Sequence, residues 1–357
     1  MFWNLFKKTS KTFLGVDIGT SSIKIVEMAR FGRRKKLENY GEMQAEALYD
    51  KPFRTFEKST LTVSGQDVVR AILAILAEAN IKTKKAYFSI PDFSSFFTTF
   101  TLPPMTEEEL PQAINYEARQ HIPIPLSEVT LDWQIIEGKK TPQKSTPFKI
   151  LLVAVPNEVI RQYQDIARAC HLELLALEAE VFGLTRALVK TEDEASNVSL
   201  VEIGARSATI SIIENNILKT SHSFDTAGSD LTDAIAKGFS VDYKEAEEMK
   251  MKYGLLSGEK DIKEAILPLI DLILNEIQKI FQSFSRSDDK EIKKVILAGG
   301  MALMPGLADY FSKNLGKPVL IAEPFADIYY PPILEKTLKE IGPSYAIALG
   351  TALRGIE

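Results

Sequence analysis

The side chains best placed for chemistry gather in one short stretch, FLGVDIGTSSIKIVEM, from Phe13 to Met28. Two apolar runs flank Gly19-Thr20-Ser21-Ser22, with Asp17 just before the turn and Lys24 just beyond it. A glycine at 19 lets backbone N–H groups approach a phosphate closely, Thr20 and Ser21 add hydroxyl donors, and Lys24 adds a positive charge. Asp17 repels a bare phosphate and makes sense as a partner of Mg²⁺. Apolar runs on both sides of a small-residue turn predict a β-hairpin, and an ordinary edge hairpin with a polar turn has the same pattern.

The elements around that stretch raise its value, because the pattern returns. Val201-Glu202-Ile203-Gly204-Ala205-Arg206-Ser207 is again strand, acid, glycine and turn, so VDIG at 16–19 and VEIG at 201–204 are one device used twice. An internal duplication predicts two similar lobes with a cleft between them. Some 90 residues after the second hairpin, Val295 to Gly300 reads as a buried strand ending in two glycines. Gly299 and Gly300 have no side chains to block a flat adenosine. Glu202 is also the one visible candidate for a catalytic carboxylate.

Between the hairpins, Arg30 to Lys36 holds five basic residues around Gly32 and reads as a solvated turn, with Leu37 to Ala47 returning as a third strand. Ser64 caps a helix to Asn80, whose apolar face is Val68, Ile72, Ile75, Leu76 and Ala79. Lys85 to Ile90 is a strand. A strand-helix-strand-strand-helix-strand module follows over about 91–171, with Thr106 and Glu109 as a capping box and Ile122-Pro123-Ile124-Pro125 as a helix stop. Within it, Gly138 to Pro147 reads as a loop. Glu178 to Val189 is helical, and the polar break at 192–197 marks a lobe boundary. Later helices are expected at Tyr243 to Tyr253, Ile262 to Arg286 and Ser344 to Leu353.

The motifs DIGTSSIK, VEIGARSAT, ILAGGMALMPGL and SYAIALGTAL resemble, in this order, the phosphate, adenosine and closing-helix motifs of the actin, Hsp70 and sugar-kinase ATPase superfamily. The segment Ala246 to Lys250 looks like the superfamily helix whose Glu and Lys meet the nucleoside. The LPPMTEEELPQAINYEARQHIPIP insert is similar to the displaced subdomain of FtsA, and the whole chain looks most like the PilM family of actin-like type IV pilus assembly proteins. The resemblance implies an α/β actin-like ATPase fold with two ribonuclease-H-like lobes. Residues 1–90, 172–197 and 344–357 would form the first lobe, 91–171 the insert, 198–227 with 291–343 the second lobe, and 228–290 a helical subdomain.

It further implies ATP and Mg²⁺ as ligands. Asp17 and Glu202 would organise the metal. Gly19, Thr20, Ser21, Lys24, Gly204 and Ala205 would hold phosphates, and Glu247, Lys250, Gly299, Gly300 and Met301 the adenosine. The implied partner is the short N-terminal tail of the inner-membrane protein PilN, gripped between the first lobe and the insert, at the cytoplasmic face of that membrane. Other pilus platform proteins and self-association follow from the same likeness. Two departures stand out: Glu202 replaces the usual Asp, and Ala208 the usual hydroxyl. Binding tolerates both, whereas placing an attacking water does not, since about 1 Å of misplacement costs on the order of a hundredfold in rate. ATP hydrolysis is therefore expected to be weak or absent.

Composition narrows the rival classes. A net charge of −5 argues against generic nucleic-acid binding. One cysteine, Cys170, excludes an intramolecular disulfide and a cysteine-based zinc site, and it reads as a buried small hydrophobe. His121, His171 and His222 lack metal-ligand spacing. Glu107-Glu108-Glu109 reads as helix N-terminal charge, and Phe93, Phe96, Phe97 and Phe100 as filling of the insert's core, with a peptide groove as the alternative. No apolar run is long enough to cross a membrane. The start, MFWNLFKK, is read as packing on its own domain or disordered, with a membrane surface or a groove as alternatives. A small-molecule kinase would need an acceptor cluster that does not stand out, and an FtsA-like division protein a membrane-targeting tail that the end at Arg354 to Glu357 leaves no room for.

Overall fold

The computed structural model describes residues 11–356 apart from 33, 46–53, 58–59, 64, 107, 139, 142–143, 191–196, 257–261 and 289. The MFWNLFKK start, the Ser64 cap, Glu107 and most of the polar break at 192–197 lie outside the described residues.

The chain opens with β1 (Thr12–Ile18), β2 (Ser22–Phe31) and β3 (Arg34–Gln44), then β4 (Arg54–Glu57), β5 (Thr60–Val63), α1 (Gly65–Glu78) and β6 (Lys85–Ile90). The insert holds β7 (Phe96–Leu102), α2 (Leu110–His121), β8 (Val129–Glu137), β9 (Lys140–Thr141), β10 (Lys144–Ser145) and β11 (Phe148–Pro156). Next come α3 (Asn157–Ala169), β12 (Glu173–Ala179) and α4 (Glu180–Leu188). The second half comprises β13 (Asn197–Ile203), β14 (Ala208–Glu214), β15 (Ile217–Phe224), α5 (Gly228–Phe239), α6 (Tyr243–Tyr253), α7 (Ile262–Asp288), β16 (Lys294–Ala298), α8 (Leu307–Leu315), β17 (Val319–Ile321) and α9 (Glu335–Leu353).

The duplication is plain in the sheets. One runs β12-β6-β1-β2-β3 and the other β17-β16-β13-β14-β15, each with an antiparallel β-meander joined to two parallel strands. Both hairpins close with the same bond: Gly19 N–H donates to the Ser22 carbonyl at 2.9 Å, and Gly204 N–H to the Ser207 carbonyl at 3.0 Å. The turn is tight enough that a Cβ on Gly19 would lie 2.8 Å from the Ser22 oxygen. Glycine is therefore required there for space rather than for an unusual φ.

Helices α4 and α9 lie between the two sheets. Val181 and Leu184 of α4 and Ala346 and Ile347 of α9 share a core with Leu200, Ile213 and Ile296 of the second sheet, while Tyr345, Ala348, Ala352 and Leu353 of α9 pack with Val26 and Met28 of the first. The two helices cross backbone to backbone: a Cβ on Gly350 would sit 1.8 Å from the Gly183 carbonyl oxygen, and one on Gly15 would sit 2.0 Å from that of Ala348. Helix α9 begins before Pro343, earlier than the expected start at Ser344. The proline removes one ladder bond, but Leu338 on the preceding turn is buried, and its burial outweighs that loss.

The insert is a three-stranded antiparallel sheet, β7-β11-β8, with α2 packed on one face through Leu110, Ile114 and Ala118. Its other face meets the second lobe, where Lys219 on β15 reaches Glu137 on β8 at 2.7 Å. Helix α3, inside the 91–171 span, packs instead with the first sheet, its Val159, Tyr163 and Ile166 sharing a core with Leu14 and Val16. The stretch expected as a loop at 138–147 contains the small β9–β10 ribbon. Thr106 and Glu109 do meet, with the Glu109 carboxylate accepting from the Thr106 N–H at 2.8 Å.

Candidate functional site

The two hairpin turns bring Asp17 and Glu202 to one cleft. Asp17 is buried and accepts a hydrogen bond from Ser89 Oγ at 2.9 Å. Glu202 is pushed up to about 8, first by burial and then by the charges of Asp17 and Asp92, with Lys24 opposing them. Three carboxyl groups thus converge from distant parts of the chain. In the hairpin ladder, Asp17 faces Lys24 and Glu202 faces Thr209. Lys24 donates to Ser22 Oγ and pairs with Glu42 at 3.3 Å. Thr209 supplies the hydroxyl opposite the second acid, and Ala208 pairs with Ile203 inside the core. Thr20 is half-buried and Ser21 exposed on the first turn.

Sequence reasoning missed Ser89, Asp92 and Glu180. Asp92 is buried just beyond β6 and pushed up to about 7, by burial first, against the Val181 N–H, which donates to its Oδ1 at 3.3 Å. Its own N–H donates to Glu180 Oε2 at 3.4 Å. A signal existed: β6 is the first-lobe counterpart of β16, which ends in Gly299 and Gly300, and carboxyl ends of parallel strands are where α/β sheets collect ligands.

On the second lobe, Gly204, Gly228, Gly299 and Met301 come together. The Gly228 N–H donates to the Gly204 carbonyl at 3.0 Å, and the Ser229 N–H to that of Ala205 at 2.7 Å. Gly299 has φ +86°, and a Cβ there would lie 2.4 Å from the Ile203 oxygen and 2.5 Å from Glu202 Oε1. Around a Cβ built on Gly300 nothing lies within 4 Å, so that side is open. Lys250 is buried and directs three donors to the Gly228 carbonyl, Thr232 Oγ1 and Glu247 Oε2, at 3.1, 2.8 and 2.6 Å. Burial pulls its pKa down against the pull of Glu247. Lys250 therefore braces the start of α5 and fixes Glu247. The Gly299 N–H donates to the Pro343 carbonyl at 3.0 Å, tying this wall to α9.

The donor set suits a hard divalent cation. The charge of Asp17 that raises Glu202 is relieved by a cation between the two, and Mg²⁺ is commonly held by one or two carboxylates plus substrate phosphates. Among the described residues no cluster of three or more His, Cys, Asp or Glu side chains is arranged to hold a metal ion.

A second concavity lies on the insert. A groove of about 270 Å³ between α2 and β8 is lined by Ile114, Asn115, Leu126, Val129, Leu131 and Trp133. Its Leu126 end adjoins the first lobe, where Asn157, the first residue of α3, donates to the Ser127 carbonyl at 3.1 Å. Phe96 and Phe100 pack in the insert's core and Phe97 in the core between the sheets, so other residues line the groove. Strand β8 is an outer strand of its sheet.

A family model described as type IV pilus assembly protein PilM matches residues 15–356. The chain belongs to that family. A solved PilM-PilN type IV pilus biogenesis complex superposes with TM-score 0.83 over 96% of this chain and 98% of that one, at 24% identity. MreB5 of Spiroplasma citri bound to AMPPNP superposes with TM-score 0.55 over 96% and 95%, at 13% identity. PilM proteins thus share the actin-like ATPase fold with this chain. Among sequence relatives, FtsA of Staphylococcus epidermidis is 22% identical over 194 residues, 48% of this chain and 42% of its own length, so the match spans less than half of that relative. FtsA of Enterococcus faecalis is 20% identical over 340 residues, covering 83% of this chain and 75% of FtsA. Among the described residues no helix is long and apolar enough to cross a membrane.

Proposed function

We propose that this chain is an ATP–Mg²⁺-binding scaffold of the type IV pilus inner-membrane platform, which grips the cytoplasmic N-terminal tail of a PilN-type protein and couples that grip to nucleotide state. The observation that carries the nucleotide half is the convergence of two identically closed acid-glycine hairpins, with Asp17 close enough for its charge to act on Glu202. Asp17 and Glu202 would organise Mg²⁺, which neutralises phosphate charge when bound. The Gly19, Thr20, Ser21, Gly204 and Ala205 turns would cradle phosphates, with Lys24 balancing charge. Glu247, held by Lys250, and the Gly299-Gly300-Met301 wall would take the adenosine. The solved MreB5 structures, one bound to AMPPNP and one to ADP, support nucleotide binding on this fold.

Glu202 argues for holding ATP rather than turning it over. Its extra methylene moves the carboxylate from where an aspartate would hold it, and about 1 Å of misplacement of an attacking water costs on the order of a hundredfold in rate. For the tail, the groove between α2 and β8 is the seat we favour, because an extended segment can lie there beside an outer strand. Titration of a fluorescent ATP analogue with Mg²⁺ tests the metal assignment. Asp17→Ala should weaken retention by at least about a hundredfold, as expected on losing a buried charge partner; affinity equal to wild type overturns it.

A further inference from the structure

The first sheet has two ends, and only one faces the cleft. At the other end Thr12 lies opposite Ala29, so the chain enters β1 directly beside the β2–β3 turn. That turn, at Gly32 with φ +63°, presents Arg30, Phe31 and Arg34 to solvent, and Phe31 is 65% exposed. Arg30 and Arg34 have no acidic partner among the described residues, whereas Lys36 is paired with Glu38 at 2.8 Å. Residues 1–11 and 29–36 carry eight basic side chains and no acidic one, in a chain whose acids outnumber its bases 48 to 43. Alongside β3, Tyr329 exchanges backbone hydrogen bonds with Lys35 and Leu37 and is itself half exposed, and four residues on Ile333 is 87% exposed.

We propose that this end of the first lobe is a docking surface for an anionic lipid bilayer. Unpaired arginines around a solvent-facing phenylalanine combine the two signals that peripheral attachment needs: attraction to acidic headgroups and a hydrophobic insertion. The segment that leads into it, Phe2-Trp3-Asn4-Leu5-Phe6-Lys7-Lys8, has the same chemistry in sequence, with aromatic and apolar side chains followed by lysines. A nucleic-acid site would not require the exposed Phe31. A tip remote from the cleft also leaves the nucleotide site free while the surface is occupied.

Sedimentation of the full chain with vesicles tests this, using phosphatidylcholine alone against the same lipid with about 30% phosphatidylglycerol. Binding is expected to the anionic vesicles only, and to fall as salt rises. Each basic side chain near such a surface is worth roughly fivefold in partitioning, so Arg30→Glu/Arg34→Glu should weaken binding more than about tenfold. Phe31→Ser should weaken it several-fold while leaving the salt dependence intact. The charge reversal Lys279→Glu/Arg286→Glu on α7 should change nothing. Three results overturn the proposal: no binding to anionic vesicles at low salt, equal loss in the α7 variant, or duplex DNA held as tightly as the vesicles. Unchanged melting temperatures establish that all variants are folded.

Discussion

Glu202 differs from the aspartate expected at its position by one methylene, and its surroundings make that difference matter. Its carboxyl is half-buried and desolvated, with the charges of Asp17 and Asp92 acting on it, so the fold favours its neutral form. The sign follows from linkage: a carboxyl raised from its ordinary value stabilises the fold at low pH, and this contribution is lost as pH climbs through the raised value. Without ligand, the melting temperature should therefore fall between about pH 5 and pH 9, with Asp92 near 7 and Glu202 near 8 contributing. Glu202→Gln should flatten the upper part of that fall in thermal melts; an undiminished slope assigns it elsewhere. Gly299 makes a second residue-scale case. A side chain at φ +86° is strained and would strike both Ile203 and Glu202, so Gly299→Ala should cost about 2–4 kcal/mol in denaturant unfolding and abolish ATP-analogue binding. At this scale the sequence was legible where the chemistry is local. Gly19 and Gly204 announce their turns through neighbours in the chain, whereas Asp92 acquires meaning only when packing sets it against Glu202.

At the scale of elements, amphipathic pattern told which segments are helices but not which sheet each helix covers. Helix α3 has a clear apolar face, yet nothing in Val159, Tyr163 and Ile166 says that Leu14 and Val16 will meet it. Helix α9 shows the opposite limit: Pro343 reads locally as a stop, and the burial of Leu338 before it overrides that signal. The α4–α9 crossing is more decisive than either. Gly183 and Gly350 let two backbones touch, and Arg186 Nη1 donates to the Gly350 carbonyl at 2.8 Å while pairing with Glu178. Gly350→Val must push the helices apart, with an expected loss of about 3 kcal/mol, read by chemical denaturation. An unchanged midpoint would mean that the crossing yields more easily than its geometry allows.

At the scale of the molecule, the insert touches both lobes. It joins the first through the chain and Asn157, and the second through Lys219, whose ammonium is buried between Glu137 and Glu214. Glu214 illustrates the balance: burial works to raise it, and Lys290 and Lys219 together hold it below the ordinary value. A groove on such an insert feels any change in the angle between lobes. If nucleotide favours one angle, it alters tail affinity only by its differential affinity for the two forms. The expected coupling is modest, a few-fold to about a hundredfold between apo and ATP-loaded protein, in titrations of a PilN-type tail peptide. Equal affinities would leave a constitutive adaptor.

The position of α9 also governs how the chain can be built during synthesis. The helix that covers Gly15, Val26 and Met28 is made of residues 335–353, so the first hairpin to leave the ribosome is among the last to be covered. For most of translation that hairpin face has no permanent neighbour, and the face of the second sheet that packs with Ala346 and Ile347 waits for the same helix, while its other face closes earlier on α5 to α8. Both lobes are thus completed by the same late helix, and a nascent chain halted before residue 335 is the form of this protein most exposed to chaperones and to aggregation.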